Sequence, residues 1–104
     1  MKSKLQNRLE SGLSAITAEI MPPRGGNTDL ALSKALTLNE LVHGFNVTDG
    51  SRAIMRMSSL ALCKLLLEAN LEPILQLSCR DRNRIALQAE LLGAHALGLS
   101  LIHI

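Results

Sequence analysis

Three short apolar runs, at residues 14–21, 43–47 and 72–78, each give way to a polar motif: Glu19-Ile-Met-Pro-Pro-Arg24, Asn46-Val-Thr-Asp-Gly50 and Ser78-Cys-Arg-Asp-Arg-Asn-Arg84. Longer segments with helical spacing separate them, so strands and helices alternate at roughly 30-residue intervals, the pattern of a parallel sheet joined by right-handed crossovers. Parallel strands carry chemistry at their C-terminal ends while their interiors pack. The polar residues at the three junctions are therefore the candidate functional positions.

Residues 2–11 read as a short amphipathic helix ending at Gly12, a residue type that tolerates the left-handed backbone common past helix ends. The first strand, 14–21, stops at Pro22-Pro23. After the Gly25-Gly26-Asn27 loop, Asn27 or Thr28 caps a helix to about residue 41, made strongly apolar by Leu30, Leu32, Leu36, Leu38 and Leu41. A second strand at 43–47 opens into a polar loop over 48–57, and Ser58 or Ser59 caps a helix through residue 69. Leu60, Leu62, Cys63, Leu66 and Leu67 recur there near helical spacing, with Asn70 at its end. The third strand, 72–78, follows at once. Asp81 is expected to cap a fourth helix to about residue 95, with Ile85, Leu87, Leu91 and Leu92 as its apolar positions and Gly93 tolerated or ending it early. Residues 99–104 read as the start of a fourth strand. The αβαβαβα order suits either an open doubly wound sheet or part of a β/α barrel, although no GxGxxG follows the first strand.

A closed eightfold β/α barrel takes ~250 residues, so a chain of 104 residues is expected to hold only its N-terminal portion, about three βα units of one barrel domain. A hydrophobic fraction of 47% suffices for a core. Runs such as Glu72-Pro-Ile-Leu-Gln-Leu77 are expected to need cover on both faces and pairing on both edges, which a truncated barrel leaves incomplete. Residues 99–104 are also expected to be a non-native tail, because Leu-Ser-Leu-Ile-His-Ile is what a transposon-derived sequencing adapter encodes in one frame. With 11 basic and 9 acidic residues, a net charge of +2 and one aromatic residue, Phe45, the chain offers neither the field nor the stacking surface for nucleic acid. Cys63 and Cys79 form no CxxC pair or disulfide framework, the N-terminus lacks a signal-peptide run, and no apolar stretch approaches the roughly 20 residues that cross a bilayer. A cytoplasmic protein is expected.

With Ala18-Glu19-Ile-Met-Pro-Pro-Arg24, Asn46-Val-Thr-Asp-Gly50, Arg56-Met-Ser-Ser59 and Cys79-Arg-Asp-Arg-Asn-Arg-Ile-Ala-Leu-Gln88 followed by Leu91-Leu-Gly-Ala94, the chain resembles methylenetetrahydrofolate reductases over about residues 16–98. The resemblance implies the N-terminal portion of a (βα)8 TIM barrel, truncated. It implies a flavoprotein in which FAD carries a hydride from NAD(P)H to 5,10-methylenetetrahydrofolate, giving 5-methyltetrahydrofolate, with this fragment inactive by itself. Glu19 matches the family's acidic residue. It is expected to protonate the departing nitrogen as the folate ring opens, provided burial raises its pKa. Thr48, Asp49 and Ser51 match loop positions beside the flavin. Gln76 stands where the best-known bacterial enzymes have histidine, so its role would be hydrogen bonding rather than proton transfer. Asp49 lacks the tyrosine ring of some relatives. A folate (pterin) is the implied partner, with a homo-oligomer of the full-length protein compatible. The family's Gly-Asp motif after a fourth strand, and the helices that grip the FAD phosphates, have no counterpart in this sequence.

Plainer readings stand beside these. Glu19 is otherwise a carboxylate paired with Arg24 or Arg80, and Thr48-Asp49-Gly50 an ordinary turn. For residues 79–84, a capping Asp81 with solvated or ion-paired Arg80, Arg82 and Arg84 is preferred to an anion site. Cys63 is expected in the core and Cys79 is not expected to be a nucleophile. His43, His95 and His103 lack metal-ligand spacing, and Met55 and Met57 are expected to pack. Two other functions fit the pattern: a pterin methyl-transfer barrel using a corrinoid or thiol acceptor, and a noncatalytic module that pairs through an exposed strand edge.

Overall fold

The computed structural model describes residues 3–104, so Lys2, the expected start of the first helix, lies outside the described residues. Four helices and four strands alternate: α1 (Lys4–Glu10), β1 (Thr17–Ile20), α2 (Asp29–Leu38), β2 (Gly44–Val47), α3 (Ser59–Glu68), β3 (Pro73–Gln76), α4 (Arg84–Ala96) and β4 (Ile102–His103), with a 3-10 turn at Ser51–Ala53. The strands pair in parallel in the order β1-β2-β3-β4. This sequential order contains no reversal and hence no crevice of the doubly wound kind. Among the described residues, no helix is long and apolar enough to cross a membrane.

Alternation along the strands gives the sheet two unlike faces. Phe45, Val47 and Leu75 are 1%, 0% and 0% exposed, and with Ile20 and Leu77 they point to the helices, packing on Ala31, Ala35, Leu62, Cys63, Leu66 and Ala94. The intervening residues point the other way. Register sets Glu19 beside Asn46 and Gln76 beside His103, with Thr17 on the same side, so that face is polar and open toward the C-terminal ends of the strands. The sequence expectation of apolar cover on both faces is thus met on one.

Several local expectations change for identifiable reasons. In α2, made strongly apolar by its leucines, Leu30 and Leu36 are exposed and Ala31 and Ala35 are buried. Leu32 and Leu38 are partly buried and packed against the same core. The cap of α4 is Asn83, whose side chain accepts from the Ala86 N–H at 2.8 Å. Asp81 is instead taken by Arg80. Gly93 lies inside α4 and does not end it. Of the alternatives for the other caps, Ser58 accepts from the Ala61 N–H, Thr28 occupies the cap of α2 without a side-chain bond, and Asn27 accepts from the Asp29 N–H at 2.9 Å.

At the N-terminal ends of the strands, α1 is tied down by Glu72, whose carboxylate accepts from the N–H groups of Lys4 and Leu5. The Lys4 ammonium donates to the carbonyls of Asn39 and Val42 at 3.2 and 3.0 Å. These bonds seat Leu5, 6% exposed, over Ile74 and Gly44. A cavity of about 360 Å³ opens beside them, lined by Leu67, Leu71, Leu99 and Leu101 among others. It lies at the opposite end of the strands from the polar motifs, and of the polar residues that also line it, Ser3, Asn70, Glu72 and Ser100, the Glu72 carboxylate is already taken by the N–H groups of α1.

Candidate active site

The polar ends of β1, β2 and β3 are laced together by their loops. Asp49, two residues past β2, accepts from the Ser78 N–H at 2.7 Å through Oδ2, while Arg82 donates to both its carboxylate oxygens. Arg82 also donates to the Ser78 carbonyl at 2.9 Å. Hydrogen bonding to Asp49 pushes the Arg82 guanidinium above its ordinary pKa. Beside this pair, Arg80 donates to the Gly50 carbonyl at 2.9 Å and to Asp81. The Asp81 carboxyl is held below the usual carboxylate range by that bond.

The second loop is tied in turn to the first. Arg56 donates to the Pro22 carbonyl at 3.1 Å and the Met57 N–H to the Pro23 carbonyl at 2.7 Å. Pro22 is fully buried. Glycine at position 50 has φ +58°, and Arg52 and Ala53 also lie in the left-handed region, so Thr48 to Ala53 turns tightly back over the strand end. Such backbone is retained only where surrounding contacts enforce it. Here the Asp49 and Gly50 bonds supply the enforcement.

Glu19, the expected acid, stands exposed on the open face at the C-terminal end of β1, with no hydrogen bond or ion pair among the described residues. The expected burial of its carboxyl is absent from this sheet, and so is the alternative pairing with Arg24 or Arg80. In register beside it is Asn46, whose amide donates to Thr17 Oγ1 at 2.9 Å. Gln76 comes next across the sheet, its Nε2 donating to Asn46 Oδ1 at 3.4 Å and its main-chain carbonyl accepting from Ser59 Oγ at 3.0 Å. Thr48 is 7% exposed, and its hydroxyl is buried without a partner. Ser51 begins the 3-10 turn, half-buried at the rim.

Glu19, Asn46, Thr48 and Gln76 therefore share one face and one end of the sheet, whereas the Asp49 carboxylate is spent on the third-strand loop. Cys63 is buried, which pushes its thiol up to about 12, and Cys79 is exposed. Met55 is exposed rather than packed. Sequence reasoning passed over Ser59 except as a cap, gave Asn46 no role beyond its motif, and expected Arg82 to be solvated or ion-paired, without naming its partner Asp49. The signal for Asn46 was present: an amide inside an otherwise apolar strand, at the alternate position from Phe45 and Val47, must face whatever the core does not.

Compared with models of known protein families, residues 4–103 match the one described as Methylenetetrahydrofolate reductase. No curated protein matches the chain significantly.

Proposed function

Because the chain belongs to the methylenetetrahydrofolate reductase family, we propose that its open polar face is part of the interior of a (βα)8 barrel that reduces 5,10-methylenetetrahydrofolate to 5-methyltetrahydrofolate with NAD(P)H. The sequential parallel order, with helices on one face, is the arrangement that curls into such a barrel. The observation that carries the reading is the clustering of Glu19, Asn46 and Gln76 on the uncovered face, at strand ends where barrel chemistry is placed.

The residues present suit a flavin. A planar heteroaromatic ring presents hydrogen-bonding groups along its edges; the face offers an amide at Gln76 whose Oε1 has no partner among the described residues, and the Thr48 hydroxyl beside it is buried with none. FAD, when bound, supplies the hydride transfer between nicotinamide and folate. Thr48, Asp49, Ser51 and Gln76 would hold it, Asp49 chiefly by fixing the loop that carries Thr48 and Ser51. Glu19 protonates the folate nitrogen that leaves as the five-membered ring opens.

Titrating the full-length protein with FAD, then following reoxidation of the reduced flavin by 5,10-methylenetetrahydrofolate, tests this reading. Flavin binding with folate-dependent reoxidation is expected. A protein that binds no flavin, or whose reduced flavin ignores the folate, contradicts it.

A further inference from the structure

The open face carries one hydrogen-bonded row with a defined direction. Asn46 Nδ2 donates to Thr17 Oγ1 on the edge strand at 2.9 Å, so the oxygen of the same amide is turned to the third strand. There it accepts from Gln76 Nε2 at 3.4 Å. With one of its two Nε2 hydrogens spent on Asn46, the nitrogen end of the Gln76 amide is turned to the second strand and Oε1 away from it, and a carboxamide oxygen can only accept.

The backbone beneath this row is fixed. Asn46 sits between Phe45 and Val47, 1% and 0% exposed, and the Gln76 carbonyl is held by Ser59, itself fully buried. What remains adjustable is which end of the Gln76 amide faces outward. We infer that Asn46 is a positioning residue that sets this choice, holding Gln76 with its oxygen outward as the acceptor for an N–H on the edge of the bound ring. The inference rests on the flavin reading above and deepens it: the third strand receives a donor edge of the ring, and a carbonyl edge there meets repulsion from Oε1. Thr17 is the anchor of the row, Asn46 the relay and Gln76 the group that touches the ligand.

The test is FAD titration and the midpoint potential of the bound flavin in the full-length protein, for the unsubstituted form, Asn46→Leu, Gln76→Leu, the double variant and Thr17→Val. Loss of one such bond weakens FAD binding by about tenfold. Asn46→Leu should do so and shift the potential in the same direction as Gln76→Leu, and the double variant should be no weaker than Gln76→Leu, because the first residue acts only through the second. Thr17→Val, a change of similar shape at an exposed position, should give a smaller shift of the same sign. A simple packing role for Asn46 would lower stability and leave the potential unmoved. Additive losses, or an unmoved potential in both Asn46→Leu and Thr17→Val, would overturn the assignment while leaving the flavin reading intact. Absence of FAD binding by the unsubstituted protein would remove both.

Discussion

Asp49 and Arg82 form a two-point ion pair between the loops that follow β2 and β3, with their side chains only 14% and 17% exposed. The carboxylate also takes the Ser78 N–H, so a single side chain sets the spacing of the two loops. Removing it leaves the Ser78 N–H without a partner and a partly buried guanidinium whose charge is unpaired, held only by the Ser78 carbonyl. Asp49→Ala should therefore destabilise by about 2–3 kcal/mol. The double variant Asp49→Leu/Arg82→Leu, which leaves no unpaired charge, should cost less than Asp49→Ala alone. Urea midpoints at matched m values measure both, and a smaller loss in Asp49→Ala would show that the pair does not hold the rim.

Gly50 has φ +58°, and a Cβ there would come within 2.9 Å of the Arg80 guanidinium. Gly50→Ala should cost about 1–2 kcal/mol from backbone strain together with displacement of Arg80. Gly12, also with positive φ, has nothing within 4 Å of such a Cβ. Gly12→Ala should carry only the backbone share, so thermal denaturation of the two variants separates strain from crowding.

Cys63 is buried among Leu62, Leu66 and the sheet, and its thiol pKa rises from 9.0 to about 12. The folded state thus keeps a proton that the unfolded chain releases above pH 9.0, so this group's stabilisation is complete below that pH and falls as pH climbs toward about 12. The slope in that window is ~1.4 kcal/mol per pH unit. Cys63→Ala should flatten it. A thiol reagent at neutral pH should label Cys79 in the folded protein and reach Cys63 only on unfolding; rapid native labelling of both would contradict the burial argument.

Much of the fold was legible because strand alternation and helix spacing depend on where water is. Phe45, Val47 and Leu75 declare the covered face, and the Ser58-Ser59 pair marks the start of α3, with Ser58 as its cap. What the sequence left obscure depends on competition among neighbours. Asp81 and Asn83 are both good caps, and the choice fell to Asn83 because Arg80 captured the aspartate. In α2 the leucines dominate the apolar pattern, yet it is Ala31 and Ala35 that are buried while Leu30 and Leu36 are exposed. The site divides in the same way. Glu19 and Thr48 lie in polar motifs at strand ends and Gln76 is reached only through the family resemblance, whereas the Asp49–Arg82 pair and the Asn46 amide row join residues roughly 30 positions apart, a separation bridged only once parallel pairing sets the register.

The central claim is that Glu19 delivers the proton that opens the folate ring. Its most direct measurement compares the two half-reactions of Glu19→Gln in the full-length, FAD-loaded protein by stopped-flow absorbance. Reduction of the flavin by the nicotinamide should proceed as in the unsubstituted protein, while reoxidation by 5,10-methylenetetrahydrofolate should slow by ~10²-fold or more, the contribution typical of a positioned acid. Reoxidation at the unsubstituted rate would contradict the account.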